Sequence, residues 1–261
     1  MINYLKPALS FVLKPDWVIH KNLSYGAHPD QTADLYLLKN GKENPTVIFI
    51  HGGGWQAGDK KVYEGRAKKF ALAGFNVFAI NYRLATPTSN QWPAQLIDCH
   101  MAYAWLVSHA QFFNIDTTKI VVGGDSAGAH LALFFGPLGV RAIIDFFGPT
   151  DLTQPDMYKV TLDLDAFGKK SLEKDRNLYV DASPIYRMEM NNTPPVLIFH
   201  GTKDDVIPYS QSVLLKNRLD IYHVPCIMVS FNGAHRLDEL PWYTQLYLEM
   251  RAVWFALENT K

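Results

Sequence analysis

Ser126 is the residue of this sequence best placed for covalent chemistry. The stretch VVGGDSAGAHLALF, residues 121–134, runs from an apolar β-branched segment through Gly124-Asp125-Ser126-Ala127-Gly128 into a helix-period segment. A serine at so abrupt a strand-to-helix turn takes a strained backbone, and small residues two positions before and after it let strand and helix approach without collision. The turn lifts the hydroxyl clear of the main chain, as a nucleophile requires. It also puts the Ala127 N–H at the start of a helix, where an unpaired donor and the helix dipole both face developing negative charge. As a bare turn the pentapeptide would mean little; its strand and helix flanks point to chemistry.

A second run, TVIFI at 46–50, ends at His51 and is followed by Gly52, Gly53, Gly54 and Trp55. Consecutive glycines suit a place where backbone amides must come within hydrogen-bonding distance of a reacting oxygen, because a Cβ would obstruct the approach. A flexible turn would explain the glycines but not their position after an early strand and upstream of the serine.

A serine hydroxyl is a poor nucleophile at neutral pH. It needs a base to take its proton and a third group to hold that base in one tautomer. After a serine on such a turn the order is acid, then histidine. His235, in the loop Asn232-Gly233-Ala234-His235 beyond the last predicted strand, fits both order and setting. For His100, His109, His130 and His200 packing or hydrogen-bonding roles are expected.

Together HGGGW at 51–55, NYRLA at 81–85, GDSAG at 124–128 and HGTKDDVIP at 200–208 resemble the esterase/lipase branch of the α/β-hydrolases, from about residue 33 to the C-terminus. The resemblance implies the α/β-hydrolase fold, with an oxyanion hole built from the amides of Gly53, Gly54 and Ala127. Its acid loop, HGxxDxxVP, matches at Asp204, with Asp205 the adjacent rival. His51 is then a brace for the glycines, and Asp59, Arg83 and Asp98 are structural anchors. The activity implied is that of a serine carboxylesterase on short-chain or sugar-linked acyl esters, acting through an acyl-enzyme. WQAGDK and SAGAHLA are also similar to the arylformamidases, which leaves hydrolysis of N-formylkynurenine as an alternative. A non-catalytic ligand-binding protein on the same scaffold is a third reading, disfavoured because Ser126, Asp204 and His235 are all present.

The elements that must position these residues follow from periodicity. Strands are predicted at 33–38, 46–50, 76–81, 119–123, 142–146, 196–200 and 226–231, and helices at 61–73, 94–109, 127–135, 209–222 and 241–258. Strands alternating with helices predict a mostly parallel sheet covered on both faces. Within 94–109, Ala94, Ile97, Met101, Ala104 and Trp105 recur at helical spacing and predict the core face. Residues 1–261 read as one domain, with 150–195 as an insertion or short cap over the sheet edge. A short cap predicts a shallow site for short acyl groups, lined by Trp55, with Trp92, Phe146, Phe147 and Tyr158 as further candidates.

The bulk numbers narrow the partners. Lys+Arg and Asp+Glu both total 25, which disfavours nucleic acid and anionic membrane as partners and leaves a small-molecule ester. Cys99 and Cys226 are too few for a disulfide framework or a zinc site, and no HExxH motif occurs, so no metal or cofactor is expected. Lys6, Pro7, Lys14 and Pro15 interrupt any apolar leader, and a cytoplasmic location is the expectation.

Overall fold

Unbroken β-branched runs such as TVIFI must be covered on both faces, which a parallel sheet between two helical layers provides. A computed structural model describes residues 16–188 and 193–261. Lys6, Pro7, Lys14 and Pro15 lie outside the described residues.

The strands are β1 (Trp17–Ser24), β2 (Thr32–Leu38), β3 (Asn44–Ile50), β4 (Asn76–Ile80), β5 (Ile115–Asp125), β6 (Ala142–Phe146), β7 (Val196–Gly201) and β8 (Cys226–Phe231). They form one sheet in the order β1-β2-β4-β3-β5-β6-β7-β8. The pairs β1–β2 and β2–β4 are antiparallel, and every pair from β4–β3 to β7–β8 is parallel. This is the α/β-hydrolase fold. β1 is not among the predicted strands; it is a half-exposed edge whose WVIHKNLS sequence lacks the alternation of a strand with one buried face.

The helices are α1 (Glu64–Leu72), α2 (Ala94–Ser108), α3 (Ala110–Phe113), α4 (Ala127–Ala132), α5 (Pro155–Leu162), α6 (Arg176–Asp181), α7 (Ser210–Ile221) and α8 (Trp242–Asn259). One core layer joins Ala102, Leu106, Leu131 and Leu215 to one face of the sheet; the other joins Phe70, Ala252 and Val253 to the opposite face. Two predicted helices change form partway. Residues 61–73 open with a tighter turn, Lys60–Tyr63, before α1, and 127–135 passes at Leu133 into a 3-10 segment containing Pro137. Among the described residues no helix is long and apolar enough to cross a membrane.

The predicted core face of α2 holds at Trp105, which stacks on Phe78, and fails at Ile97 and Met101. Ile97 is 48% exposed and Met101 38%, while Gln95, Asp98, Cys99, Ala102 and Leu106 are buried. Asp98 takes the Arg83 guanidinium at 2.7 Å, the Arg83 backbone N–H at 2.8 Å and the Gln31 amide at 2.7 Å. The Gln95 amide donates to the Arg83 and Asn90 carbonyls. Asp98, buried and satisfied in this way, turns the helix so that Cys99, Ala102 and Leu106 face the core while Ile97 and Met101 face outward.

Register creates the site. Ile50 of β3 pairs with Gly124 of β5, so the chain leaves both strands side by side at the carboxyl edge, where parallel sheets hold ligands. Parts of the segment 150–188 pack on residues at this edge. The Asp165 N–H bonds to Gln56 Oε1, Phe167 meets Trp55 edge-on, and the Ala182 carbonyl lies 2.7 Å from His130 Nε2.

Candidate active site

The strand-to-helix turn at Ser126 has φ +55° and ψ −120°, a conformation that L-residues avoid and that surrounding contacts must hold. The Ser126 N–H donates to the Phe146 carbonyl at 2.8 Å, and its own carbonyl accepts from His130 N–H at 3.0 Å. The flanking glycines are steric necessities: a Cβ on Gly124 would lie 2.4 Å from the Gly128 backbone. Helix α4 thus sits directly on the ends of β3 and β5.

The glycine loop meets this turn at close range. A Cβ on Gly52 would stand 2.7 Å from the Asp125 carbonyl oxygen and 3.2 Å from Ser126 Cβ. Gly53 has φ +115° and Gly54 φ +58°, and the Gly53 carbonyl accepts from the Gln56 and Ala57 amides. Ala127 is the first residue of α4, so its N–H is one of those a helix leaves without an internal partner. His51, 1% exposed, lies with Nδ1 2.8 Å from the Gly52 carbonyl and stacks on Tyr82 at 4.3 Å. Burial pushes its pKa down, and with its ring pinned in this way it braces the loop. Asp59 is tied to Lys61 N–H and the Asn81 amide, closing the same loop.

His235 Nε2 lies 2.9 Å from Ser126 Oγ, and its Nδ1 lies 2.7 Å from Asp204 Oδ2. A carboxylate only accepts, so Nδ1 carries the hydrogen and Nε2 is free to take one from the serine. The other Asp204 oxygen accepts from the Val206 and Ile207 amides at 2.9 and 2.8 Å. Burial alone would raise the Asp204 pKa; hydrogen bonds from His200, His235 and Ile207 outweigh it and hold the carboxyl well below its ordinary range. Asp205, its neighbour, is exposed. The fold therefore brings Ser126, His235 and Asp204 into one hydrogen-bonded line, with Gly53, Gly54 and Ala127 beside the serine.

Trp55 does not line the site. It is 2% exposed, its Nε1 donates to His130 Nδ1 at 3.2 Å, and it packs edge-on against His130 and Phe167. Its positive φ of 61° continues the turn of the glycines and directs the indole into the core. Trp92 packs on the same His130, Phe146 lies buried under the Arg66 guanidinium at 4.3 Å, and Tyr158 packs on Tyr179. Of the aromatic candidates Phe147 alone faces the cavity, its ring 4.7 Å from that of His235.

The cavity measures about 480 Å³ and contains Ser126, His235, Gly53 and Gly54 in its wall. Val62, Phe147, Val206 and Leu237 form its apolar side, and Arg66, Asp125, Arg236 and Asp238 its polar side. Arg66 donates to both Asp125 oxygens at 3.0 and 3.1 Å, and Tyr63 Oη stands 2.8 Å from Asp125 Oδ2. Nothing in the spacing of α1 separates Arg66 from its lysine neighbours. The available signal is the acidic residue before the nucleophile, which demands a cation once the strand is buried.

The model of the BD-FAE family matches residues 33–139 and 137–219. The chain belongs to the BD-FAE family. Among proteins similar to this BD-FAE member, esterase LipC of Mycobacterium tuberculosis is 30% identical over 227 residues, 78% of this chain and 55% of LipC. Esterase LipQ of the same organism is 29% identical over 195 residues, 67% of this chain and 45% of LipQ. The chain thus spans about half the length of these curated relatives. Among solved structures, a truncated carbohydrate esterase from gut microbiota superposes with a TM-score of 0.77 at 24% identity, covering 95% of this chain and 99% of the other. Esterase B from Lactobacillus rhamnosis gives 0.75 at 21% identity, over 98% and 93%. At these identities the structures speak for the fold.

Proposed function

We propose that this BD-FAE member is a serine carboxylesterase that cleaves short-chain or sugar-linked acyl esters through an acyl-enzyme. One observation carries the reading: a single imidazole, His235, reaches Ser126 Oγ at 2.9 Å and Asp204 Oδ2 at 2.7 Å. The similar proteins named esterases LipC and LipQ support it.

In this cycle Ser126 Oγ attacks the ester carbonyl as its proton passes to His235 Nε2, and Asp204 stabilises the imidazolium. The carbonyl oxygen, now negative, is held by the amides of Gly53, Gly54 and Ala127. As the tetrahedral centre collapses, the alkoxy group leaves as an alcohol with the proton from His235, and the acyl group stays on Ser126. Water, deprotonated by the same imidazole, then releases the acid and regenerates the serine. Within residues 150–188, the stretch that meets Gln56, Trp55 and His130 acts as a short cap in one catalytic unit.

Release of nitrophenol from acetyl and butyryl esters by the wild type and Ser126→Ala tests the reading. The variant is expected to lose on the order of 10⁴-fold or more in kcat/KM. Equal rates for the two proteins reject it, and faster turnover of N-formylkynurenine than of any ester reassigns the site to formamides.

A further inference from the structure

His200, fully buried at the end of β7, takes no part in the proton transfers just described, yet its ring touches the acid that supports them. Its Nε2 lies 3.2 Å from Asp204 Oδ2 and 3.0 Å from the Ile207 carbonyl oxygen. Both are acceptors, so Nε2 carries the hydrogen and shares it between them. Nδ1 lies 2.6 Å from Ser212 Oγ, on α7. With Nε2 protonated in the neutral ring, Nδ1 is an acceptor and the serine hydroxyl must donate to it. The acceptors at Nε2 therefore fix the tautomer of a second histidine beside the acid, and Ser212 of α7 holds its other ring nitrogen.

We propose that His200 is a positioning residue for Asp204, acting with Ser212 to hold the carboxylate so that Oδ2 faces His235. The proposal rests on the serine-esterase reading above. The Val206 and Ile207 amides anchor Oδ1 but leave the carboxylate free to swing about that oxygen. The His200 N–H anchors Oδ2, the oxygen that also meets His235 Nδ1. Its bond to the Ile207 carbonyl ties the acid loop to β7 at the same point. A second donor on Oδ2 draws charge from it and makes the carboxylate less basic. The other groups facing the His200 ring are Asp145 of β6 and Tyr209, which meets it edge-on at 5.5 Å just before α7.

His200→Ala, His200→Gln and Ser212→Ala are compared with the wild type on a nitrophenyl ester, each rate normalised to the sites that a fluorophosphonate labels at Ser126. Glutamine keeps an N–H donor near the reach of Nε2. For His200→Ala kcat is expected to fall about 10- to 100-fold with KM within about twofold. The acid limb of the pH–rate profile is expected to move to higher pH, because an Asp204 without its second donor is more basic. His200→Gln is expected to recover most of kcat and the wild-type limb; a residue needed only for packing would show neither the displaced limb nor the recovery. If His200→Ala does not fold, Ser212→Ala decides, with a smaller loss and a displacement of the limb in the same direction. Wild-type kcat and acid limb in the deciding variant overturn the proposal. Undiminished activity of Ser126→Ala would instead remove the serine-esterase reading beneath it.

Discussion

A Cβ on Gly128 would lie 1.9 Å from the carbonyl oxygen of Ile50, so the helix after the nucleophile rests on the last residue of the strand before the glycine loop. That single approach couples the serine turn to the loop whose amides face it. Gly128→Ala must lift α4 from β3. The expected cost is about 2 kcal/mol or more of stability, read as a lower Tm, together with loss of Ser126 labelling by a fluorophosphonate. Gly65 in α1 has open space around its Cβ position and a negative φ, so Gly65→Ala serves as control. It is expected to raise stability by roughly 0.5–1 kcal/mol.

The adjacent carboxylates separate cleanly. Asp204 bonds to His235, whereas Asp205 is exposed. Asp204→Asn is expected to lower kcat on the order of 10⁴-fold, because an amide can present its N–H to His235 and favour the wrong tautomer. Asp205→Asn should stay within about twofold of wild type, as surface changes usually do. Steady-state kinetics on one ester checks both, and the reverse ranking would move the acid role to Asp205.

Gly53 gives a test of the oxyanion amides. A Cβ there would lie 2.2 Å from the Ala57 carbonyl, and the residue holds φ +115°. Gly53→Ala is expected to displace the loop and lower kcat about 10²- to 10³-fold, the cost of losing one oxyanion donor. Labelling of Ser126 should persist at a reduced rate, since nucleophile and base are untouched.

Asp145 makes stability depend on pH. Burial raises its pKa to about 7 against the Gly148 N–H and the nearby His200, which lower it. A group whose folded value lies above its unfolded one contributes fully below the unfolded value, and the contribution is lost as pH rises through about 7. Asp145→Asn cannot ionise and has no such loss. Its Tm relative to wild type is therefore expected to rise between pH 5 and pH 8 by about 3 °C or more. A difference in Tm that does not change with pH would count against an ionisable Asp145. Asp204 works in the opposite direction. Its folded pKa is depressed, so its contribution is present above the ordinary carboxylate range and is lost as pH falls through the acid range.

The amino-acid sequence determined whatever depends on neighbours along the chain. The G-x-S-x-G turn is legible because its glycines answer a local steric demand, and the glycine loop because amides can approach a reacting oxygen only where no Cβ intervenes. The interior strands are legible because burial on both faces leaves an unbroken apolar run. Tertiary structure decided what depends on partners from distant segments. Arg83 and Gln31 satisfy Asp98 and so choose the buried face of α2; His130 receives the Trp55 indole and draws it away from the cavity. Arg66 matters only because α1 lies against Asp125, and His200 only because β7 ends beside Asp204. Whether a polar side chain is buried depends on whether the fold supplies its hydrogen-bond partner, and that partner is as often far away in sequence as near.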